Sequence, residues 1–221
     1  MARGGKPREL PPPLPPEQRT VGQLVGEAMR IYGAHFWKGL ALGVPVVAIN
    51  AFAWTASGEV LYLILPLTAL LVSASYVGAI SLVSGVPLRS RAALDGYGVA
   101  VLVFLPFPLL AAIYVLPGIA WLALIGLAVP AAVVEGIGAR ASFARGFRLA
   151  RADFVHVLGG LATLALVVFI TQFSLYFVLR EFAESTRIAA AALASLVVSP
   201  LVFLGAAVLY GDQEARLRSR G

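Results

Sequence analysis

Apolar residues gather into six long runs, at roughly 39–56, 60–86, 98–116, 118–134, 157–179 and 188–210. A helix crosses a hydrocarbon core with about 20 predominantly apolar residues, in a range near 17–25. The second run is long for that purpose and the fourth short, and the others fit. None of the six contains Asp, Glu, Lys, Arg or His. The pattern predicts an all-α integral membrane protein with about six transmembrane helices. The third and fourth runs are parted only by Pro117-Gly118, which reads as a tight turn between two crossings.

The polar stretches between the runs have patterns of their own. Residues 1–19 hold six prolines with Arg3, Lys6, Arg8 and Arg19. That composition predicts a disordered or polyproline tail, and no apolar h-region follows the early basic residues. From Thr20 to Lys38 an apolar stripe of Val21, Leu24, Val25, Ala28, Ile31, Tyr32, His35 and Phe36 recurs at helical spacing, with Gln23, Glu27, Arg30 and Lys38 off it. Thr20 with Gln23 fits a capping box. This is an amphipathic helix expected in the headgroup plane. Met29-Arg30-Ile31, then Phe36 and Leu40, is echoed 118 residues later by Phe147-Arg148-Leu149, then Phe154 and Leu158. With a shorter basic element at Leu88–Tyr97, the chain reads as three units of helix plus apolar hairpin. Residues 20–216 then form one membrane domain, and 217–221 a short basic tail.

Composition adds weight to this map. The chain is 60% hydrophobic and 13% charged, against about 45–50% and 25% for soluble domains, and its mean hydropathy is +0.89. The net charge of +6 is explained by topology rather than by nucleic acid. With the N-terminus inside, segments 1–38, 87–97, 135–156 and 211–221 hold six, two, four and three basic residues, together 15 of the 17. Only Arg180 and Arg187 fall outside, the positive-inside asymmetry expected with both termini in the cytoplasm. The expected location is the inner (plasma) membrane.

Candidate chemistry is sparse. No cysteine is present, which excludes disulfides and thiolate sites. Proton- or ion-coupled carriers reveal themselves by ionisable groups at membrane depth, and the runs offer only Asn50, Gln172 and scattered Ser and Thr, expected to hydrogen-bond between helices. Small residues spaced by four, as in Gly39/Gly43, Ala74/Gly78 and Ala190/Ala194, allow close helix approach. His35 and His156 lack metal-ligand spacing, and no Walker loop, GxSxG or GxGxxG after a strand occurs, so no cofactor or metal is expected. Two groups at the rim stand out. Arg145, Arg148 and Arg151 recur every three residues and, with Arg30 and Lys38, are candidates for contact with anionic lipid headgroups. Glu135 closes the fourth run and Asp212 follows the sixth, so these two acids are candidates for structural contacts at the rim, Glu135 with an arginine.

Thr20-Val21-Gly22-Gln23-Leu24-Val25-Gly26-Glu27-Ala28 with Phe36-Trp37 resembles the opening of the membrane domain associated with glycerophosphoryl diester phosphodiesterases. Pro130 to Glu135-Gly136, followed by Ala141-Ser142-Phe143-Ala144-Arg145-Gly146-Phe147-Arg148-Leu149 and Phe154, is similar to that family's Glu-Gly turn and basic helix. Leu209-Tyr210-Gly211-Asp212 with Arg216 resembles its closing Tyr-Tyr-Asp-Leu-Arg-x-Arg stretch, with Gly211 in place of the second Tyr and Glu214 in place of the first Arg. The resemblance implies a six-helix, cytoplasm-anchored bundle, found alone or fused to a phosphodiesterase barrel. Nothing of the barrel's metal-binding acids and catalytic histidines occurs in these residues, so that activity does not carry over.

The function expected is a non-catalytic accessory or scaffold of the cell envelope, with membrane lipids, anionic headgroups among them, or a protein as partner. Its rivals are a transporter or channel for a neutral or amphiphilic solute, and an enzyme acting on lipid headgroups through Glu135 or Asp212. The topology is directly testable. Reporters fused after Arg19, at Arg91, at Arg148 and at the C-terminus should read cytoplasm, and one at Glu184 the opposite side. An external reading at Arg91 or Arg148 would overturn the six-span map.

Overall fold

The computed structural model describes residues 14–55 and 61–220. Most of the proline-rich tail, at 1–13, therefore lies outside the described residues. Eleven helices and no strand occur among the described residues: α1 Val21–Ala34, α2 Phe36–Ala41, α3 Val44–Thr55, α4 Leu61–Ser84, α5 Arg91–Phe104, α6 Phe107–Ile113, α7 Val115–Ile125, α8 Ala128–Glu135, α9 Ala139–Ala152, α10 Phe154–Val178 and α11 Glu184–Ser219. Singly or joined end to end they make six helices long and apolar enough to cross a membrane: Phe36–Trp54, Pro66–Ser84, Arg91–Leu110, Val115–Glu135, Phe154–Val178 and Glu184–Ser219. The chain is an all-α membrane fold.

Three of these spans are broken, and proline places the breaks. Pro45, Pro108, Pro117 and Pro130 each fall within the first three residues of α3, α6, α7 and α8. There the missing N–H is one the helix leaves unpaired anyway. Pro117-Gly118 is consequently not the turn between the third and fourth spans. That turn is at Tyr114, in extended backbone with φ −155° and ψ 146°, and Pro117 opens the returning helix. Two further differences from the sequence map have local causes. Leu88–Tyr97 is no separate lead-in helix, because Ser90 caps α5 by accepting from the Ala93 N–H and the helix runs on into the bundle. Likewise α11 does not stop at Gly211 or at 217. Its 36 residues extend about 54 Å at 1.5 Å each, well beyond a hydrocarbon core of about 30 Å.

A broken helix frees carbonyls that hydrocarbon cannot satisfy. Here neighbouring helices supply the donors. Leu42, between α2 and α3, accepts from Ser75 Oγ at 2.8 Å, and Val103, near the end of α5, from Trp121 Nε1 at 2.9 Å. Gly126, whose usual partner would be the nitrogen of Pro130, accepts from the Val129 N–H at 3.3 Å and faces the Tyr76 hydroxyl at a longer 3.5 Å. Deeper in the bundle the expected polar residues act between helices. Ser195 Oγ of α11 accepts from Asn50 of α3 at 3.2 Å and from Gln172 of α10 at 2.7 Å.

The echo in the sequence is a repeat in the structure. Helices α1 and α9 have 14 residues each and lie 118 positions apart at both ends. The bends that follow, at His35 and Asp153, and the next helix starts, at Phe36 and Phe154, keep the same offset. Buried Leu24, Ala28 and Tyr32 correspond to buried Ser142, Gly146 and Ala150. Helix α1 packs on α10 and α11, and α9 on α7 and α8. The inner helices α4, α8 and α11 meet around a core that includes Ile80, Val129, Val133 and Leu204.

Glycine sets two of these approaches. A Cβ on Gly146 would lie 2.4 Å from the backbone nitrogen of Ala128, and one on Gly43 2.2 Å from the Leu196 carbonyl oxygen. Gly26, on the outer face of α1, would meet nothing. Gly146→Ala should therefore lower stability in detergent by about 1–3 kcal/mol, the usual range for overpacking. Gly26→Ala should raise it by about 0.4–1 kcal/mol through the unfolded chain. Thermal unfolding of the two variants against the parent checks the pair, and equal shifts would refute the close packing of α9 on α8.

Candidate functional site

The charged residues of the repeat boundaries collect at one end of the bundle. Three segments bring them there: the turn before α1, the junction from α8 through α9 to α10, and the last turns of α11. Gly136 ends α8 in the left-handed conformation, φ 65°, which suits glycine because it lacks Cβ. The chain can then reverse into α9, so that a residue of α9 faces back onto Glu135. Asp153 caps α10 by accepting the His156 N–H at 3.1 Å. Thr20 caps α1 in a reciprocal capping box with Gln23.

Two polar clusters result. In the first, Glu135 accepts from Arg145 Nε at 2.8 Å and from the Tyr210 hydroxyl at 2.6 Å. Arg145 also lies 3.9 Å from Glu214, which pairs with Arg218. The Glu135 hydrogen bond holds the Arg145 guanidinium above its ordinary value. In the second, the fully buried Asp212 receives Arg19 Nη1 at 2.5 Å, a bond across 193 residues. Arg216 reaches Asp153 at 2.5 Å and the Arg19 carbonyl at 2.8 Å. Its guanidinium lies 3.3–3.4 Å from both ring nitrogens of His156, an even spacing that indicates contact with the ring rather than one directed bond. His156 Nε2 stands 3.9 Å from the second Asp212 oxygen, beyond hydrogen bonding. Among the described residues, that oxygen, Arg216 Nε and both amide atoms of the fully buried Gln213 have no hydrogen-bond partner.

Beside the clusters opens a cleft of about 570 Å³. It is lined by the apolar Ile80, Val83, Val134 and Ala207 and by Arg19, Glu27, Arg30, His35, Asp212 and Glu214. These charges are largely spent on one another. Arg30 is bound to Glu27 by Nε at 2.9 Å and Nη2 at 2.5 Å, and this bond holds the Glu27 carboxyl below its ordinary value.

The residues singled out by sequence are therefore distributed rather than gathered. Glu135 and Asp212 belong to different clusters. Among the lipid candidates, Arg145 turns inward to the acids, while Arg148 and Arg151 of the same helix are exposed, Arg151 5.6 Å above the Phe147 ring. Arg30 is exposed but engaged by Glu27. Lys38 is exposed and, among the described residues, pairs with no carboxylate. Sequence reasoning gave Arg19, Tyr210, His156, Arg216 and Gln213 no place in a joint site. The repeat was the available signal for Asp153, which occupies the bend equivalent to His35.

The first cluster yields a measurable coupling. Hydrogen bonds to charged groups contribute about 1.5–3 kcal/mol, and partial exposure of Glu135 and Arg145, at 27% and 20% of their side chains, reduces that to about 1 kcal/mol. Glu135→Gln should lower thermal stability in detergent by about that much. Tyr210→Phe should destabilise the parent and have a clearly smaller effect once Glu135 is Gln. Additive losses in that double-mutant cycle would show that the two side chains do not interact.

The chain matches no family model, no curated protein and no solved structure.

Proposed function

We propose that the chain is a non-catalytic, multi-pass protein of the inner (plasma) membrane, with both termini cytoplasmic, that binds anionic lipid headgroups along the outer face of α9. The observation that carries this reading is the division of labour within one helix. Arg145 is drawn inward by Glu135 and Glu214, whereas Arg140, Arg148 and Arg151 are exposed. Among the described residues no carboxylate lies within ion-pair distance of these three. An exposed basic row beside a membrane span attracts anionic headgroups by about 1 kcal/mol per cation. Kinship with the phosphodiesterase-associated membrane domain belongs to the same proposal. The positions on which the resemblance rests, Thr20, Glu135-Gly136, Arg145, Tyr210, Asp212 and Arg216, supply the caps, the turn and the clusters of the charged end.

The rival enzyme would need Glu135 or Asp212 as acid or base. Both carboxylates are engaged by guanidinium groups, and Asp212 is fully buried. Against the rival transporter, Ile80 in the lining of the cleft belongs to the same buried apolar core as Val133 and Leu204.

Native mass spectrometry of the purified protein with mixed phosphatidylglycerol and phosphatidylcholine, over a salt series, tests the proposal. The parent should retain the anionic lipid preferentially. Arg148→Gln with Arg151→Gln should weaken that preference about tenfold or more without changing thermal stability, while Arg145→Gln should act chiefly on stability. Equal retention of the two lipids by the parent would remove lipid binding as the function.

A further inference from the structure

A groove on the first hairpin shares no lining residue with the outer face of α9. The repeat lays α1 across α10 and α11, and α9 across α7 and α8. The remaining hairpin, α2–α3 with α4, is followed by α5, which begins at Arg91 without a lead-in helix of its own. A groove of about 400 Å³ stays open on this hairpin. Ala41, Leu42 and Pro45 form one wall, and Ala74, Gly78 and Leu82 the other. From Leu82 to Ala74 it runs about 12 Å along α4 at 1.5 Å per residue. Among the described residues, the one charged residue lining it is Lys38, one turn before Leu42 on the charged side.

Three properties define the occupant. The walls are apolar apart from Ser75, whose hydroxyl is already committed to the Leu42 carbonyl, so nothing polar is required along the groove. The cation at one end is exposed and unpaired among the described residues, which calls for an anion there. The size decides between a chain and a helix. A helix as long as α1 or α9 is about 21 Å long and at least 10 Å across. A groove of about 400 Å³ takes a hydrocarbon chain and is too small for such a helix. We propose that this groove holds one acyl chain of an anionic glycerophospholipid, with its phosphate on the Lys38 ammonium. Lysine serves here as a point charge on a flexible stem, able to lie along the apolar wall while its head meets the phosphate. The site shares with the preceding proposal the assumption that the charged end faces an anionic leaflet, and uses none of the same residues.

The test is lipid stoichiometry in native mass spectrometry, with phosphatidylglycerol and phosphatidylcholine as probes. The parent should keep one phosphatidylglycerol per chain at salt concentrations that strip the α9 face. Lys38→Gln should reduce that occupancy about fivefold, the equivalent of ~1 kcal/mol for one cation, and Lys38→Arg should restore it. Ala74 is exposed, so Ala74→Phe fills the groove from outside the core and should abolish the retained lipid with helicity and thermal midpoint unchanged. Ala41→Phe does the same from the opposite wall and replaces it if Ala74→Phe fails to fold. The Arg148→Gln and Arg151→Gln pair should leave this one lipid in place, so the two sites fail independently. Unchanged occupancy in the groove-filling variant, or equal retention of phosphatidylcholine, would overturn the proposal. So would a photo-reactive diazirine residue in place of Ala41 that captures polypeptide rather than phospholipid.

Discussion

The constraint on which the rest of this structure depends is that backbone polar groups in hydrocarbon must find partners within the protein. An unbroken helix meets it alone, and α4, α10 and α11 do so over most of their length. The other three spans are interrupted, and their freed carbonyls draw on donors from other helices beside local bonds such as Val129 N–H to Gly126. Ser75, Trp121 and Tyr76 are those donors, directed at the carbonyls of Leu42, Val103 and Gly126. Each also fixes a packing relationship, because the donor must sit beside the break. Ser75 holds α4 against the α2–α3 bend, and Trp121 holds α7 against α5. The close approach of Gly43 to the Leu196 carbonyl oxygen follows the same logic, since one glycine at the bend lets two backbones meet without a side chain between them.

The repeat shows how two equivalent elements come to carry different polar chemistry. Helices α1 and α9 are equivalent elements, each followed by a sharp bend and then a membrane span, yet their bends have diverged. At the first, His35 makes no side-chain cap to α2. At the second, Asp153 caps α10 and receives Arg216. Their faces have diverged as well. The buried position held by Tyr32 in α1 is Ala150 in α9, and Glu27 in α1 is matched by Arg145. One repeat thus places an acid at this position and the other a base, so the two halves present different chemistry from the same backbone.

The number and placement of the spans were legible in the sequence because membrane insertion sums over about 20 residues, and such sums tolerate local error. The capping box at Thr20 and the Gly136 turn were legible because their chemistry lies within four residues. The turn between the third and fourth spans was not. Pro117-Gly118 has the composition of a turn, but a proline in the first turn of a helix has the same composition, and only the neighbouring chain decides between them. Within the charged end, the Glu135–Arg145 bond joins sequence neighbours across one turn. The Arg19–Asp212 bond joins residues 193 apart, and no local pattern carries that information. Arg145 illustrates the same limit from the other direction. Its spacing with Arg148 and Arg151 puts all three near one face, yet packing against Glu135 and Glu214 separates it from the other two.

Asp212 is the sharpest case of a residue whose value is not its contribution to stability. A carboxylate fully enclosed in protein loses its hydration, and one guanidinium, with the second oxygen unpartnered among the described residues, returns little more than that loss. The return is positional. Arg19 belongs to the segment that leads into α1, and Asp212 to the emerging part of α11, so the bond sets where the first helix begins relative to the last. Arg216 reinforces the same register by grasping the Arg19 carbonyl. Pro16 and Arg19 on one side, with Tyr210 and Asp212 on the other, are walls of the open cleft. The shape of that cleft is therefore tied to an ion pair between the two ends of the described chain.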